Sequence, residues 1–153
     1  MDKKILHECG LRGDGIADDG AALQRLLNLR PTLLEIPSGI YQVGRTLRIH
    51  SGTHLKLDAG AVIRLADGAA KNPHDYLLTN ANPESGAANI IIEGGTWDGN
   101  NLGNPRPPGL FDAGYSGALL HFQQVDGLRL EHIRLHNAEA YYARFTQVRN
   151  FHI

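Results

Sequence analysis

The chain has 153 residues, 42% of them hydrophobic, 20% charged and 18 of them glycine, which is one domain's length with material for a substantial core. Fifteen Lys and Arg against sixteen Asp and Glu leave a net charge of −1, so no basic face argues for nucleic acid as a partner. The lone Cys9 excludes an internal disulfide framework, and no stretch approaches the ~20 apolar residues of a membrane helix.

The first residues, MDKKILHECGLRGDG, carry two lysines but no apolar run after them. They do not read as a signal peptide, so the expected location is cytoplasmic, or secreted if the native N-terminus was processed. Residues 10–20, GLRGDGIADDG, form a turn cluster. Asp18 or Asp19 can N-cap a helix starting there, where an acidic first turn suits the helix dipole. The spacing of Asp14, Asp18 and Asp19 does not fit an EF-hand Ca²⁺ loop, and no metal site is expected.

Ala22, Leu23, Leu26 and Leu27 then fall on one helical stripe, which Pro31 ends. That predicts one helix over residues 19–29, inside a cap of residues 1–32. Short alternating strands come next: residues 33–43 as strand, Pro-Ser-Gly turn and strand, then Thr46 to Ile49, Leu55 to Leu57 and Gly60 to Leu65. Residues 67–85 are a polar excursion with a strand at 76–78. Residues 98–117 are the longest irregular stretch, with three prolines and five glycines, and a loop this long in a compact domain is usually functional or disordered.

A repeat organises the rest. Residues 125–135 read VDGLRLEHIRL, and residues 148–153, VRNFHI, match their start at an offset of 23. Residues 89–97, NIIIEGGTW, match at an offset of 38, placing Ile90 on Leu128, Ile92 on Leu130, Glu93 on Glu131 and Trp97 on Leu135. Apolar pairs two apart point to one face of a strand, and the step of three between pairs turns a corner. Repetition at this period signals a solenoid whose units cannot bury their faces alone. The expected fold is a single all-β domain, a parallel β-helix over residues 33–153 behind an N-terminal helical cap. The last copy has Phe151 and Ile153 but no second apolar pair. The C-terminal coil is therefore expected to be truncated, with an end open to an end-to-end homo-oligomer.

Among single residues, Trp97 falls on an inward position and reads as core, and Asp98 before Gly99 reads as a turn residue. His132 and His136 lie on strands with a bend between them, which is no zinc spacing. Glu93 and Glu131 hold equivalent positions and read as turn-lining. The candidate substrate-binding residues are Arg106, Phe111 and Tyr115 of the long loop, aromatic for a sugar ring and Arg for a carboxylate.

Four motifs in order, GLRGDGIADDGAALQRLL, LLEIPSGIYQVGRTLRI, HLKLDAGAVIRL and NIIIEGGTWDGNN with Arg106-Pro107 after it, resemble the polygalacturonase-like glycoside hydrolases. This is glycoside hydrolase family 28 of the pectate lyase superfamily. The resemblance implies a right-handed single-stranded parallel β-helix and inverting hydrolysis of α-linked galacturonic acid in an acidic, pectic polysaccharide. That chemistry needs a carboxylic acid and a carboxylate base separated by a water. The family's Asn-Thr-Asp, catalytic Asp-Asp and Gly-His-Gly motifs do not map onto this chain. No catalytic residue is therefore assigned, no cofactor is implied, and the chain alone is expected to be inactive. The alternative is a non-catalytic β-helix module, phage-tail or adhesin-like, that binds glycans or serves as a stalk.

Overall fold

The computed structural model describes residues 9–72, 74–105, 108 and 117–153. Residues 1–8 of the expected cap and most of the second half of the long loop lie outside them. The strands are short because each apolar alternation is short. They are β1 (Asp14–Asp18), β2 (Leu33–Ile36), β3 (Gly39–Val43), β4 (Leu47–Ile49), β5 (His54–Leu57), β6 (Ala61–Leu65), β7 (Leu78–Asn80), β8 (Ala87–Glu93), β9 (Thr96–Asp98), β10 (Ala118–Gln123), β11 (Val125–Glu131), β12 (Arg134–His136), β13 (Tyr141–Thr146) and β14 (Arg149–His152). One helix, α1 (Gly20–Asn28), precedes β2.

The strands build three sheets, and every pairing between them is parallel. The first runs β1-β3-β6-β9-β12, the second β14-β11-β8-β5-β2 and the third β13-β10-β7-β4. From β2 onward the chain visits second, first and third sheet in the same cyclic order. The register is the one the repeat predicts. Leu128 pairs with Ile90, Leu130 with Ile92 and Glu131 with Glu93; Leu135 pairs with Trp97; Leu128 pairs with Phe151.

Inward side chains stack in columns along these registers. Leu34, Leu55, Ile92 and Leu130 form one, and Tyr41, Ile63, Trp97 and Leu135 another. Leu47, Leu78 and Leu120 form a third. All but Leu135 are buried, and each large apolar side chain so placed stabilises the fold by about 1.5–3 kcal/mol. Trp97 is fully buried and so belongs to the core.

The helix spans nine residues and buries Ala22, Leu23, Leu26 and Leu27 against β3 and β4. Its start differs from the expected cap. Asp19 holds the N-cap position but makes no cap bond, and no acidic residue lies in the first turn. Its buried carboxylate instead turns back to accept from the Arg12 and Gly13 amides, while Asp18 accepts from the Gly20 and Gly44 amides. The carboxylates thus tie the turn before the helix to β3, and that turn cluster contains β1, a strand the polar sequence conceals.

Two further boundaries move. The strand expected at 76–78 is β7, two residues later. The start of the long loop is anchored rather than free: Asn100 donates to the Leu65 carbonyl and Asp67, and Asn104 bridges Ala66 and Ala70. Asp98 accepts from the Asn100 amide at 2.9 Å, which is the turn role expected of it. At the far end Phe145 stacks on Phe122 and Phe151 on Phe145, and Tyr141, Phe145, Phe151 and Ile153 remain exposed.

Candidate functional site

The outward faces of the three sheets differ in character. On the second sheet, Glu35, Lys56, Glu93 and Glu131 succeed one another in register. Lys56 lies 3.0 Å from Glu93 and Arg129 pairs with Glu131. The Lys56 ammonium, then His54, hold the Glu93 carboxyl below its usual range. These charges are compensated on an open sheet. On the first sheet Asp98 is held by Asn137 and lies 3.7 Å from Arg64.

The third sheet carries a groove on its outside. Arg48 of β4, Thr79 of β7, His121 of β10 and Arg144 of β13 form one row in register. Each alternates with inward residues, so all four face away from the core. Beside the row, Tyr76 packs its ring on His121 with centroids 4.6 Å apart, and its amide donates to Thr46 Oγ1. The His74 ring lies 3.3 Å from the Tyr76 hydroxyl. The other wall is residues 81–85, including Asn82 and Glu84. Asn80, buried at the end of β7, holds β10 by bonding both backbone groups of Gln123.

Arg48, Thr79 and His121 of the row, with His74, Tyr76 and residues 81–85, line a groove of about 590 Å³, a size that suits a small-molecule or single-sugar ligand. Two polar atoms on its lining are buried without a partner among the described residues: Thr79 Oγ1 and His121 Nδ1. Such groups are uncommon in folded proteins and mark places where something else completes the bonding. Burial, then the charges of Arg144 and His74, push the His121 pKa down. The ring is therefore neutral at neutral pH and can donate from one nitrogen and accept at the other.

Arg48 and Tyr76 also line an adjoining hollow of about 610 Å³ with Lys71, Asp67 and Asp75, so they form a rib between two depressions. Glu84 is the one carboxylate on the groove's described lining. Among the described residues the groove's lining therefore holds one carboxyl group rather than the pair that glycoside hydrolysis uses. Among the described residues no group of three metal-ligating side chains converges, and no helix is long and apolar enough to cross a membrane.

Arg106, Phe111 and Tyr115, the residues singled out from the sequence, lie outside the described residues. His132 sits at a left-handed corner with φ +54°, and His136 pairs with Asp98 on β12. Sequence reasoning missed the groove row. The signal was there in three strands of the same form, Leu47-Arg48-Ile49, Leu78-Thr79-Asn80 and Leu120-His121-Phe122.

No family model matches the chain. Over 95 residues it is 33% identical to the preneck appendage proteins of Bacillus phages PZA and phi29, a match that covers 60% of this chain and spans 11% of those proteins' length. Its fold is similar to that of a candidate glycosyl hydrolase from Parabacteroides merdae (TM-score 0.75, 16% identity, 95% of this chain and 72% of that one). It is also similar to the N-terminal fragment of bacteriophage phi29 gene product 12 (0.72, 23%, 89% and 24%). A third similar fold is the surface adhesin PfbA of Streptococcus pneumoniae (0.64, 19%, 85% and 32%). The class these findings define is a mostly β fold of parallel sheets, with one short helix among the described residues, similar to solved phage, adhesin and glycosyl hydrolase-like structures.

Proposed function

We propose that this chain is a glycan-binding module of a phage-appendage-like protein, built as a right-handed single-stranded parallel β-helix capped by α1. The observation that carries the reading is the 33% identity to two phage appendage proteins over 95 residues. Support comes from a groove lined by an aromatic ring, arginine and unpartnered polar atoms, the chemistry that sugars require. Its partner in this reading is a surface polysaccharide, acidic in kind. The test is co-sedimentation of the full chain with insoluble bacterial cell-wall polysaccharide, with reducing ends assayed in the same tubes. Retention without release of reducing ends is the expected result. Absence of retention across cell-wall and pectic polymers overturns it.

A second reading is favoured by the fold likeness to a candidate glycosyl hydrolase over 95% of the chain. Here residues 1–32 cap, and residues 33–153 supply the early coils, of a polygalacturonase-type enzyme. Its inverting acid and base lie in sequence this chain does not contain. Release of reducing ends by a longer protein containing this chain, but not by the chain alone, would favour it.

A further inference from the structure

We propose that the groove on the third sheet is a subsite for a single sugar ring carrying one anionic group, with Thr79 and His121 binding its hydroxyls and Arg48 its anion. The inference rests on the glycan-binding reading and gives that reading a place and a ligand class.

Three observations converge. Thr79 Oγ1 and His121 Nδ1 are unpartnered, although Thr79 is 2% and His121 7% exposed. A buried polar group without a partner is unfavourable, and a ligand hydroxyl that donates to one and accepts from the other removes that penalty. Thr79 and His121 are register partners on adjacent strands, about 5 Å apart, so one ring can reach both. The Tyr76 ring, packed on His121, adds an apolar wall beside them.

The charge is asymmetric. Arg48 lies beside Thr79 on one side of the row and Arg144 beside His121 on the other, about 14 Å apart across three strand spacings. Arg48 lines the groove itself. Its backbone is held in place by Gln24 through Arg48 N and O, which fixes where its side chain enters the groove lining. Glu84 on the opposite wall disfavours an anion on that side and orients the ring with its charge toward Arg48. A guanidinium grips carboxylate, sulfate and phosphate alike through paired N–H donors, so the shared chemistry is an oxyanion on a polyol.

The experiment is calorimetric titration of the full chain with four probes: galacturonic acid oligomers, a sulfated disaccharide, glucose 6-phosphate and neutral maltose. At least one anionic probe is expected to bind ten-fold or more tighter than maltose, and which one identifies the oxyanion. Arg48→Gln should reduce that preference to under three-fold. Thr79→Val should weaken the preferred probe about ten-fold while leaving the melting temperature unchanged or raised, since it removes an orphaned hydroxyl. Equal binding of maltose and the anions, or full anion preference in R48Q, overturns the subsite. If R48Q and T79V still co-sediment with polysaccharide at wild-type level, the subsite is wrong and the glycan-binding reading survives. If the wild type retains no polysaccharide, both fall.

Discussion

Gln124 and Gln147 follow the paired strands β10 and β13 at the same corner, and both turn the backbone at φ +54°. The corner recurs at Gly86, just before β8, with φ +81°, and a parallel column joins Asn89, Gly127 and Asn150 at φ +55°, +80° and +50°. Left-handed backbone at a non-glycine residue costs about 1 kcal/mol or more. Gln147→Gly is therefore expected to stabilise the chain by ~0.5–1 kcal/mol, and Gln147→Ala to bring no gain, both read by urea denaturation. Gly94→Ala should do the reverse, on the order of 3 kcal/mol. Its φ is +78°, and an added Cβ would lie 2.2 Å from the Leu57 carbonyl oxygen.

The edge of the third sheet is closed by one side chain. β4 is its last strand, and the Gln24 amide both donates to Arg48 O and accepts from Arg48 N, at 3.1 and 2.8 Å. Gln24→Ala removes two hydrogen bonds worth about 1 kcal/mol each and bares a strand edge. Loss of ~1–2 kcal/mol with faster aggregation is the expected outcome. Gln24→Glu, which keeps the acceptor and loses the donor, should be intermediate.

Acid should weaken the fold in two steps. His121 has a lowered pKa because it is buried and faces Arg144 and His74. The unfolded chain therefore takes up that proton first, and stability falls as pH drops below the ordinary histidine value of 6.5. Glu93 has a lowered pKa because Lys56, then His54, bond its carboxylate. Its contribution is present above 4.5 and is lost as pH falls through the lowered value. His121→Leu should flatten the first step in a pH series of melting temperatures, and Lys56→Met should reduce the second.

The end face formed by Phe145, Phe151 and Ile153 is apolar and exposed. Such surface favours association, and the full chain is expected to self-associate with rising concentration in sedimentation velocity. Phe151→Asp should shift it toward monomer. A wild-type chain that stays monomeric up to ~1 mM, where even weak association registers, would rule out the end-to-end contact.

The core columns were legible because inward residues repeat in pairs, and Ile90, Leu128 and Phe151 align both in sequence and in register. The helix was legible from its stripe. β1 was not, because residues 14–18 are mostly polar with only Ile16 as a large apolar side chain, itself exposed, and they pair with β3 in an irregular register. The groove row was hidden by spacing. The intervals from Arg48 to Thr79, from Thr79 to His121 and from His121 to Arg144 are all different, a series no fixed period detects. Composition draws attention to the irregular loop, whereas in the folded chain strands line up the surface.

Growth and conservation of shape are separated in this molecule. Successive strands of the second sheet are joined by unequal lengths of chain, yet Leu34, Leu55, Ile92 and Leu130 stay in one column. The extra length leaves at corners and rejoins without shifting an inward side chain. The circuit between Leu55 and Ile92, one of the two long ones, is the one that supplies His74, Tyr76 and residues 81–85. Lengthening, trading or reshaping these rims would therefore remodel the groove while the interior stays constant.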